Sequence, residues 1–313
     1  MKIILIDTIS APIAYLFGIL LKSIRDKGIN KFPKIKRSLL KAGIFPIRNH
    51  YYEPLIDYQL ISDESLTQRK LENIPWNEKQ QIDLLSNFIF TEELSLFPFE
   101  KTKKDGEFFY KNGNYEFGDA DIWYSLIRYF KPRRIVEVGS GYSTLIAVAA
   151  IKNNKDEDAT YDCNITCIEP YEMPWLEKTG AIIIRKKVED IESSIFEELQ
   201  SGDVLFIDSS HMIRPQGDVL KIYLDILPKI KPGVIVHIHD IFSPRDYPAK
   251  WLKDEMRFWN EQYLVEAILS SGNAWEVLLA NNLLKNNYFD NFKKCCPYIS
   301  KDHEPGSFYI RRV

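Results

Sequence analysis

The chain has few cysteines and no net positive charge, and each of these absences excludes a class of protein. Four cysteines occur in 313 residues, namely Cys163, Cys167, Cys295 and Cys296. One pair is adjacent and the other lies in or beside a predicted strand, so neither spacing is that of a zinc site or a disulfide framework. We therefore expect a reducing, cytoplasmic location. The net charge of −3 offers no general basic surface, so no nucleic-acid partner is expected.

A long apolar run is also missing, although the N-terminus comes close to one. Residues Thr8 to Leu21 carry no charge, but these 14 residues are fewer than the roughly 20 that span a bilayer. Lys22 to Arg48 contain nine Lys or Arg and the single acid Asp26. Because this charge follows the apolar stretch and no small-residue cleavage site appears, a signal peptide is a poor match. The segment predicts a helix packed on the protein or a partner, or else peripheral membrane contact through residues 8–41.

What the sequence does contain is a change of pattern that divides it into three parts. Residues 1–48 are the apolar and basic segment, and residues 49–118 predict an appended region of short helices such as Trp76 to Phe90. Residues 119–313 alternate strands and helices, which predicts an α/β domain with a Rossmann-like, seven-stranded, mostly parallel sheet and an antiparallel C-terminal hairpin. The predicted strands are short apolar or β-branched runs: Arg134 to Val138, Asn164 to Glu169, Ala181 to Lys186, Asp203 to Asp208, Gly233 to His239, Ala274 to Leu279 and Ser307 to Arg311. The predicted helices between them are Thr144 to Lys152, Met173 to Lys178, Ile191 to Leu199, Val219 to Ile230 and a longer one from Lys250 to Leu269.

The first predicted strand leads into a glycine turn. Residues Glu137 to Thr144 are Glu-Val-Gly-Ser-Gly-Tyr-Ser-Thr. At Gly139 and Gly141 the missing Cβ lets the backbone turn sharply and approach a ligand. The free N–H groups of the helix that begins near Ser143 face the same point. The turn therefore predicts a nucleotide-cofactor site.

Acids also follow the second and third strands, at the edge where parallel sheets bind ligands. Glu169, 30 residues after Gly139, is placed to accept hydrogen bonds from the two hydroxyls of a ribose, with helix capping as its alternative role. Glu189 is a natural neighbour of an adenine edge.

Two further strand ends predict a cation site. Asp208, His239 and Asp240 end adjacent strands, so their side chains are expected to converge on one divalent ion, with a metal-free hydrogen-bond network as the alternative. The carboxylates suit magnesium, whereas His239 shifts the preference toward manganese, iron or zinc. His211, three residues past Asp208, predicts a general base, with loop capping as its alternative. His237 lies inside its strand and is expected to be a core histidine with its hydrogen bonds satisfied, or one that supports the ligands.

Four motifs together resemble class I S-adenosylmethionine-dependent methyltransferases, nearest to stand-alone bacterial enzymes that act on small molecules and glycans. They are the glycine turn, the Ile-Glu-Pro-Tyr that contains Glu169, the Phe-Ile-Asp-Ser-Ser-His that ends at His211, and the Ile-His-Asp-Ile-Phe around Asp240. The resemblance covers about residues 40 to 313. It implies that the turn residues and the ribose acid hold S-adenosylmethionine: Glu137, Gly139, Ser140, Gly141, Ser143 and Glu169. In metal-assisted relatives, including sugar O-methyltransferases, acids after the fourth and fifth strands hold a divalent ion, and the sugar enzymes place a histidine base three residues past the first acid.

Asp208, His211 and Asp240 match that arrangement, whereas His239 stands where an acid is usual. The resemblance therefore implies O-methylation of a sugar hydroxyl on a glycan, glycolipid or glycosylated metabolite, assisted by magnesium, manganese or iron, with Asp208 and His211 as catalytic residues. Aromatic residues are expected around the acceptor, namely Tyr51, Tyr52, Tyr142, Phe242, Tyr247 and Trp251. The alternatives are an NAD(P)-dependent oxidoreductase on a similar sheet and a membrane-docked, non-catalytic binding protein. A homo-oligomer is compatible with the sequence.

Overall fold

The computed structural model describes residues 2–55, 57, 60–62, 66–103, 106–171 and 173–313. The chain forms two compact units, Met1–Ser62 and Asp63–Val313, so the described residues from 66 to 118 share a unit with the sheet. The three-part division at residues 48 and 118 stays a prediction based on composition.

The N-terminal unit is built around two helices. Helix α1 (Lys2–Asp26) is 25 residues long, and α2 (Pro33–Lys41) follows a short 3₁₀ turn. Ion pairs tie the end of α1 to later residues of the unit: Arg25 Nη2 lies 2.7 Å from Glu53 Oε1, and Asp26 pairs with Arg48.

Helix α1 extends well beyond the uncharged stretch that the sequence argument used. The 21 residues Ile6–Asp26 have a mean hydropathy of 1.3, so this helix is long and apolar enough to cross a membrane. None of the window is buried. The prediction that the segment is too short to span a bilayer counted only the residues between Thr8 and Leu21, whereas the whole helix has the length of a span.

The second unit contains the predicted seven-stranded sheet, with the order β3-β2-β1-β4-β5-β7-β6. Its strands are β1 (Arg134–Val138), β2 (Asn164–Ile168), β3 (Ile182–Ile184), β4 (Val204–Ile207), β5 (Ile235–Ile238), β6 (Trp275–Ala280) and β7 (Phe308–Arg312). The first five are parallel, and β7 pairs antiparallel with both β5 and β6. The register places Val138 opposite both Ile168 and Ile207, and Ile207 opposite Ile238. The carboxyl ends of β1, β2, β4 and β5 therefore meet at one edge, and the strand order reverses beside β1, where such sheets bind ligands.

Helices of this unit surround the sheet. They are α3 (Glu78–Leu85), α4 (Thr91–Leu94), α5 (Asp119–Phe130), α6 (Tyr142–Glu157), α7 (Ser194–Glu197), α8 (Asp218–Lys221), α9 (Glu261–Ser270), α10 (Asn281–Asn287) and α11 (Phe289–Lys293). Helix α5 packs against α6 and has ten buried residues, among them Trp123 and Tyr124. Gly118 N donates 2.7 Å to Asp121 Oδ2, which caps the start of α5.

Four of the helices predicted between the strands differ from the structure, and of the one predicted from Ile191 to Leu199 only α7 (Ser194–Glu197) forms. The segment from Lys250 to Leu269 is not one helix but a π turn (Lys250–Asp254) and α9, because Met256 has a φ of +50° and breaks the helical path between them. Helix α8 passes into a π turn and then a 3₁₀ turn rather than continuing to Ile230. Only Leu176–Lys178, a 3₁₀ turn, forms within the helix predicted to begin at Met173. The C-terminal strands pair antiparallel as predicted, although α10 and α11 separate them along the chain.

Candidate active site

The glycine turn closes against the neighbouring strand. Gly139 has a φ of +76°, and a Cβ there would lie 1.7 Å from the carbonyl oxygen of Asp208. Gly139 N donates 3.0 Å to Ile168 O, and Asp208 N donates 2.8 Å to Val138 O, so the turn is bonded to β2 and β4. Only glycine can occupy this position without separating the strands. At Gly141, where the backbone is extended, the protein itself leaves room for a Cβ, so the predicted need for glycine depends on the expected ligand.

Glu137 anchors this turn from inside the sheet. Its carboxylate is buried and accepts hydrogen bonds from Ser143 Oγ at 2.6 Å and Thr144 Oγ1 at 2.5 Å. Burial raises the pKa of Glu137 to about 7, in spite of the hydrogen bonds from Ser143, Thr144 and Cys167. Through these contacts, Glu137 and Ser143 help to hold the start of α6 beside β1.

Glu169 is placed next to the turn, as predicted. Its Oε2 accepts a hydrogen bond from Ser140 N at 3.2 Å, and its Oε1 accepts one from Tyr171 N at 2.9 Å. A cavity of about 310 Å³ opens here, and we call it the glycine-turn cavity. Its lining includes Gly139, Glu169, Glu189 and Asp208. Three of the predicted cofactor residues therefore face one space at the ends of β1 to β4.

Asp208, His211, His239 and Asp240 form a single group, which we call the Asp–His cluster. His211 Nε2 lies 3.2 Å from Asp208 Oδ1 and 3.5 Å from Asp240 Oδ2. His239 Nδ1 lies 3.4 Å from Asp208 Oδ2 and 3.7 Å from Asp240 Oδ2. Each imidazole thus faces both carboxylates. Donor atoms of Asp208, His211 and Asp240 all lie within 4.8 Å of one another, so His211 is placed as a ligand as well as a base.

Backbone strain accompanies the cluster. His211 and Asp240 have φ values of +57° and +58°, in the left-handed region that few non-glycine residues adopt. Strain of this kind is found at functional sites more often than elsewhere.

The other ring nitrogen of His211 contacts a carboxylate that was not predicted from the sequence. Its Nδ1 lies 2.9 Å from Oε2 of Glu261, a fully buried residue at the start of α9. Burial alone would lower the pKa of His211, but the hydrogen bonds to Asp208 and Glu261 raise it to about 10. Glu261 follows His211 by 50 residues, and a spacing of that length carries no signal of contact. The pairing leaves Nε2 of His211 facing Asp208 and Asp240.

A carboxylate also faces the other ring nitrogen of His239. Its Nε2 lies 3.6 Å from Asp119 Oδ2, and Asp119 accepts hydrogen bonds from Gly306 N and Ser307 N at 2.9 and 2.7 Å. His237 is different: it is fully buried within β5, as predicted, and stacks on Tyr309 at 4.1 Å, but neither of its ring nitrogens has the hydrogen-bond partner that was expected. Burial lowers the pKa of His237 well below the ordinary value, so this imidazole is neutral.

A second cavity, of about 290 Å³, opens on the other side of the cluster, and we call it the aromatic cavity. It is lined by Asp119, His239 and Asp240, by the rings of Phe117, Phe242, Trp251 and His303, and by Gly113, Asn114, Glu116, Asp302 and Glu304. Of the aromatic residues expected around an acceptor, Phe242 and Trp251 therefore line a cavity beside the cluster.

The other expected aromatics lie elsewhere. Tyr247 is buried and packs against Phe242 and Trp251, and Tyr142 packs against Trp175. Tyr51 and Tyr52 belong to the N-terminal unit and stay predictions.

Comparison with known proteins agrees with the site. Residues 136–241 match a family model described as a methyltransferase domain. The matched range runs from β1 past β5 and contains the glycine turn, Glu169 and the whole Asp–His cluster. Residues 136–241 thus match a methyltransferase domain, and this match supports an S-adenosylmethionine-dependent methyltransferase.

Individual relatives are more distant. An uncharacterised protein of Archaeoglobus fulgidus is 29% identical, over 61% of this chain and 88% of its own length. A presumed methyltransferase from Thermobifida fusca YX is 11% identical over 62% of this chain and 80% of its own, with a TM-score of 0.38. An O-methyltransferase from Bacillus cereus, solved with SAH, is 10% identical over 80% of this chain and 100% of its own, with a TM-score of 0.36.

Proposed function

We propose that this enzyme methylates a hydroxyl oxygen of a sugar, in a glycan, glycolipid or glycosylated metabolite, with the help of a divalent ion. One observation carries the proposal: the Asp–His cluster lies between two cavities. Asp208 lines the glycine-turn cavity, and His239 and Asp240 line the aromatic cavity. A methyl donor in the first cavity and an acceptor in the second would meet at the cluster.

The cluster has the chemistry of a cation site. Two carboxylates and two imidazoles converge, and Nδ1 of His239 is buried without a hydrogen-bond partner while it faces both carboxylates. A buried polar atom left unpaired in this way is expected where a ligand is missing. Asp208, Asp240 and His239 would hold the ion, and this donor set suits manganese or iron at least as well as magnesium. A bound divalent ion would lower the pKa of a coordinated hydroxyl.

His211 is the residue proposed to accept the proton of that hydroxyl, once a bound divalent ion offsets the carboxylate charge that raises its pKa to about 10. Its Nδ1 is paired with Glu261, so Nε2 is the nitrogen that faces the cluster. Bound S-adenosylmethionine would supply a methyl group on a positively charged sulfur. The acceptor oxygen would form the new bond to carbon, the carbon–sulfur bond would break, and the proton would pass to Nε2 of His211. Positioning by the two cavities contributes the larger part of the rate.

The aromatic cavity suits a sugar. Phe242 and Trp251 offer ring faces on which a pyranose can stack, and Asn114, Glu116 and Asp302 offer groups that bind hydroxyls. Its size is near the lower end for small-molecule pockets, which is appropriate for one or two sugar rings.

The test is a methyl-transfer assay with labelled S-adenosylmethionine, the purified full chain, and an extract of the host's own glycans and lipids. Label should enter a carbohydrate-containing fraction, transfer should fall after chelation with EDTA, and added Mn²⁺, Fe²⁺ or Mg²⁺ should restore it. Label that enters only proteins or nucleic acids would contradict the sugar acceptor, and full activity in EDTA would contradict the ion.

Two matched histidine variants separate the base from the ligand. His211→Ala should bind S-adenosylmethionine like the wild type and keep part of its Mn²⁺ affinity, because Asp208, Asp240 and His239 remain, while turnover falls by roughly 10²–10⁴-fold, the usual contribution of a general base. His239→Ala should lose Mn²⁺ affinity, measured by calorimetry. Loss of Mn²⁺ binding in His211→Ala with retention in His239→Ala would exchange the two roles.

A further inference from the structure

We propose that α1 is a membrane-spanning anchor, with its N-terminal end outside and its basic C-terminal end on the cytoplasmic face, where it holds the methyltransferase domain. This proposal is independent of the acceptor and the metal. It replaces the peripheral contact expected from the sequence with a span.

The side chains of α1 present apolar surface all around the helix. Tyr15, Leu16 and Phe17 are consecutive, so they point in three directions, and their exposed fractions are 70%, 67% and 60%. Ile9 and Leu20, on other turns, are also more than half exposed. A helix that lies flat on a membrane needs a polar face, and α1 has no charged residue from Thr8 to Leu21. An evenly apolar helix is typical of a segment surrounded by lipid.

The dimensions and the polar groups of α1 are compatible with a bilayer. At about 1.5 Å per residue, the 21 residues Ile6–Asp26 extend roughly 31 Å, close to the ~30 Å of a hydrocarbon core. Asp7 lies near one end of this range and Lys22, Arg25 and Asp26 near the other, where charged side chains reach the interface. Thr8 Oγ1 donates 2.8 Å to Ile4 O, so this hydroxyl is satisfied inside the helix, as lipid requires.

The basic residues that follow α1 determine the direction in which it would cross the membrane. Nine Lys or Arg and one acid occur between Lys22 and Arg48, and basic residues close to a span stay on the cytoplasmic side. Helix α2 continues this pattern: Lys34, Lys36 and Arg37 accompany Ile35 and Leu39, four residues apart on one face. Such a helix suits the surface of an anionic leaflet. The domain attached beyond it would then be in the cytoplasm, where S-adenosylmethionine is available.

The first experiment is flotation of cell membranes from a bacterium that expresses the full chain. Wild-type protein should float with membranes, resist an alkaline carbonate wash, be released by detergent, and keep its N-terminal residues by intact-mass analysis. The double variant Leu16→Lys with Phe17→Lys should lower the floated fraction by about ten-fold or more, because each lysine at the centre of a span is strongly unfavourable. Leu96→Lys, at an 85% exposed leucine of the other unit, is the matched control and should float like the wild type.

Each contrary outcome overturns the proposal. Wild-type protein that stays soluble, is removed by carbonate, sediments without floating, or lacks α1 after cleavage is not anchored by a span. The same conclusion follows if the double lysine variant floats like the control.

A second experiment tests the direction of the helix. The four native cysteines are buried, so cysteines introduced singly at Ile3 and Lys41 can be labelled selectively. In intact spheroplasts, a membrane-impermeant maleimide should label Ile3→Cys and leave Lys41→Cys unlabelled until the cells are lysed. Equal labelling of both positions, or labelling of Lys41→Cys alone, would overturn the proposed orientation.

Discussion

Gly139→Ala is the substitution whose consequence the structure defines most sharply. An alanine here carries two costs, an unfavourable backbone angle at a φ of +76° and a Cβ 1.7 Å from the carbonyl oxygen of Asp208. The first is about 1–2 kcal/mol. The second resembles overpacking of a rigid core, at about 1–3 kcal/mol or more, because that carbonyl belongs to a backbone hydrogen-bonded to β1.

Gly202→Ala is the matched control, because Gly202 has a φ of +89° with nothing within 4 Å of a new Cβ. Urea unfolding followed by circular dichroism should therefore show a loss of about 1–2 kcal/mol for Gly202→Ala and about 2–5 kcal/mol for Gly139→Ala. Thermal-shift titration with S-adenosylmethionine should show stabilisation of the control and none of Gly139→Ala. Equal stability losses, or full cofactor response in Gly139→Ala, would refute the role assigned to the turn.

Three further substitutions test other parts of the site. Glu137 keeps its proton in the folded state up to a pKa of about 7, against 4.5 when unfolded, so this residue's contribution to stability falls as pH rises between these values. The free energy of unfolding, measured with urea, should fall between pH 5 and pH 8 by about 3 kcal/mol less in Glu137→Gln than in the wild type. Identical pH profiles of the two proteins would contradict a buried proton on Glu137. Glu261→Gln should lower turnover by roughly 10–100-fold with unchanged cofactor affinity, because the support of His211 is weakened; unchanged turnover would remove Glu261 from the mechanism. Trp251→Ala should raise the KM for the acceptor by about ten-fold without a comparable change in kcat, whereas an unaltered KM would move the acceptor out of the aromatic cavity.

The sheet and its binding edge could be predicted from the sequence because both depend on local patterns. Short β-branched runs are sufficient to indicate buried parallel strands, and the central residues of all seven were identified. The topology then brings the strand ends together without further information, so the meeting of Asp208, His239 and Asp240 followed from the strand assignments alone.

Other features depend on contacts between residues far apart in sequence. Glu261 and Asp119 support the two histidines of the cluster, yet each lies 50 residues or more from its partner. The helix boundaries predicted from the sequence were wrong for a related reason. The segment from Lys250 to Leu269 has helical composition, but the helical path is interrupted at Met256. Helix α9 begins only where Asn260 N and Glu261 N donate to His211 O, and local propensity does not encode these contacts.

The central claim is that the glycine-turn cavity binds S-adenosylmethionine, and a calorimetric titration of the full chain tests it most directly. S-adenosylmethionine should bind with one molecule per chain, Glu169→Ala should weaken this binding by at least ten-fold through loss of a charge-assisted hydrogen bond, and NAD⁺ should give no binding heat. Binding of NAD⁺ in place of S-adenosylmethionine, or no heat with either compound, would contradict the account.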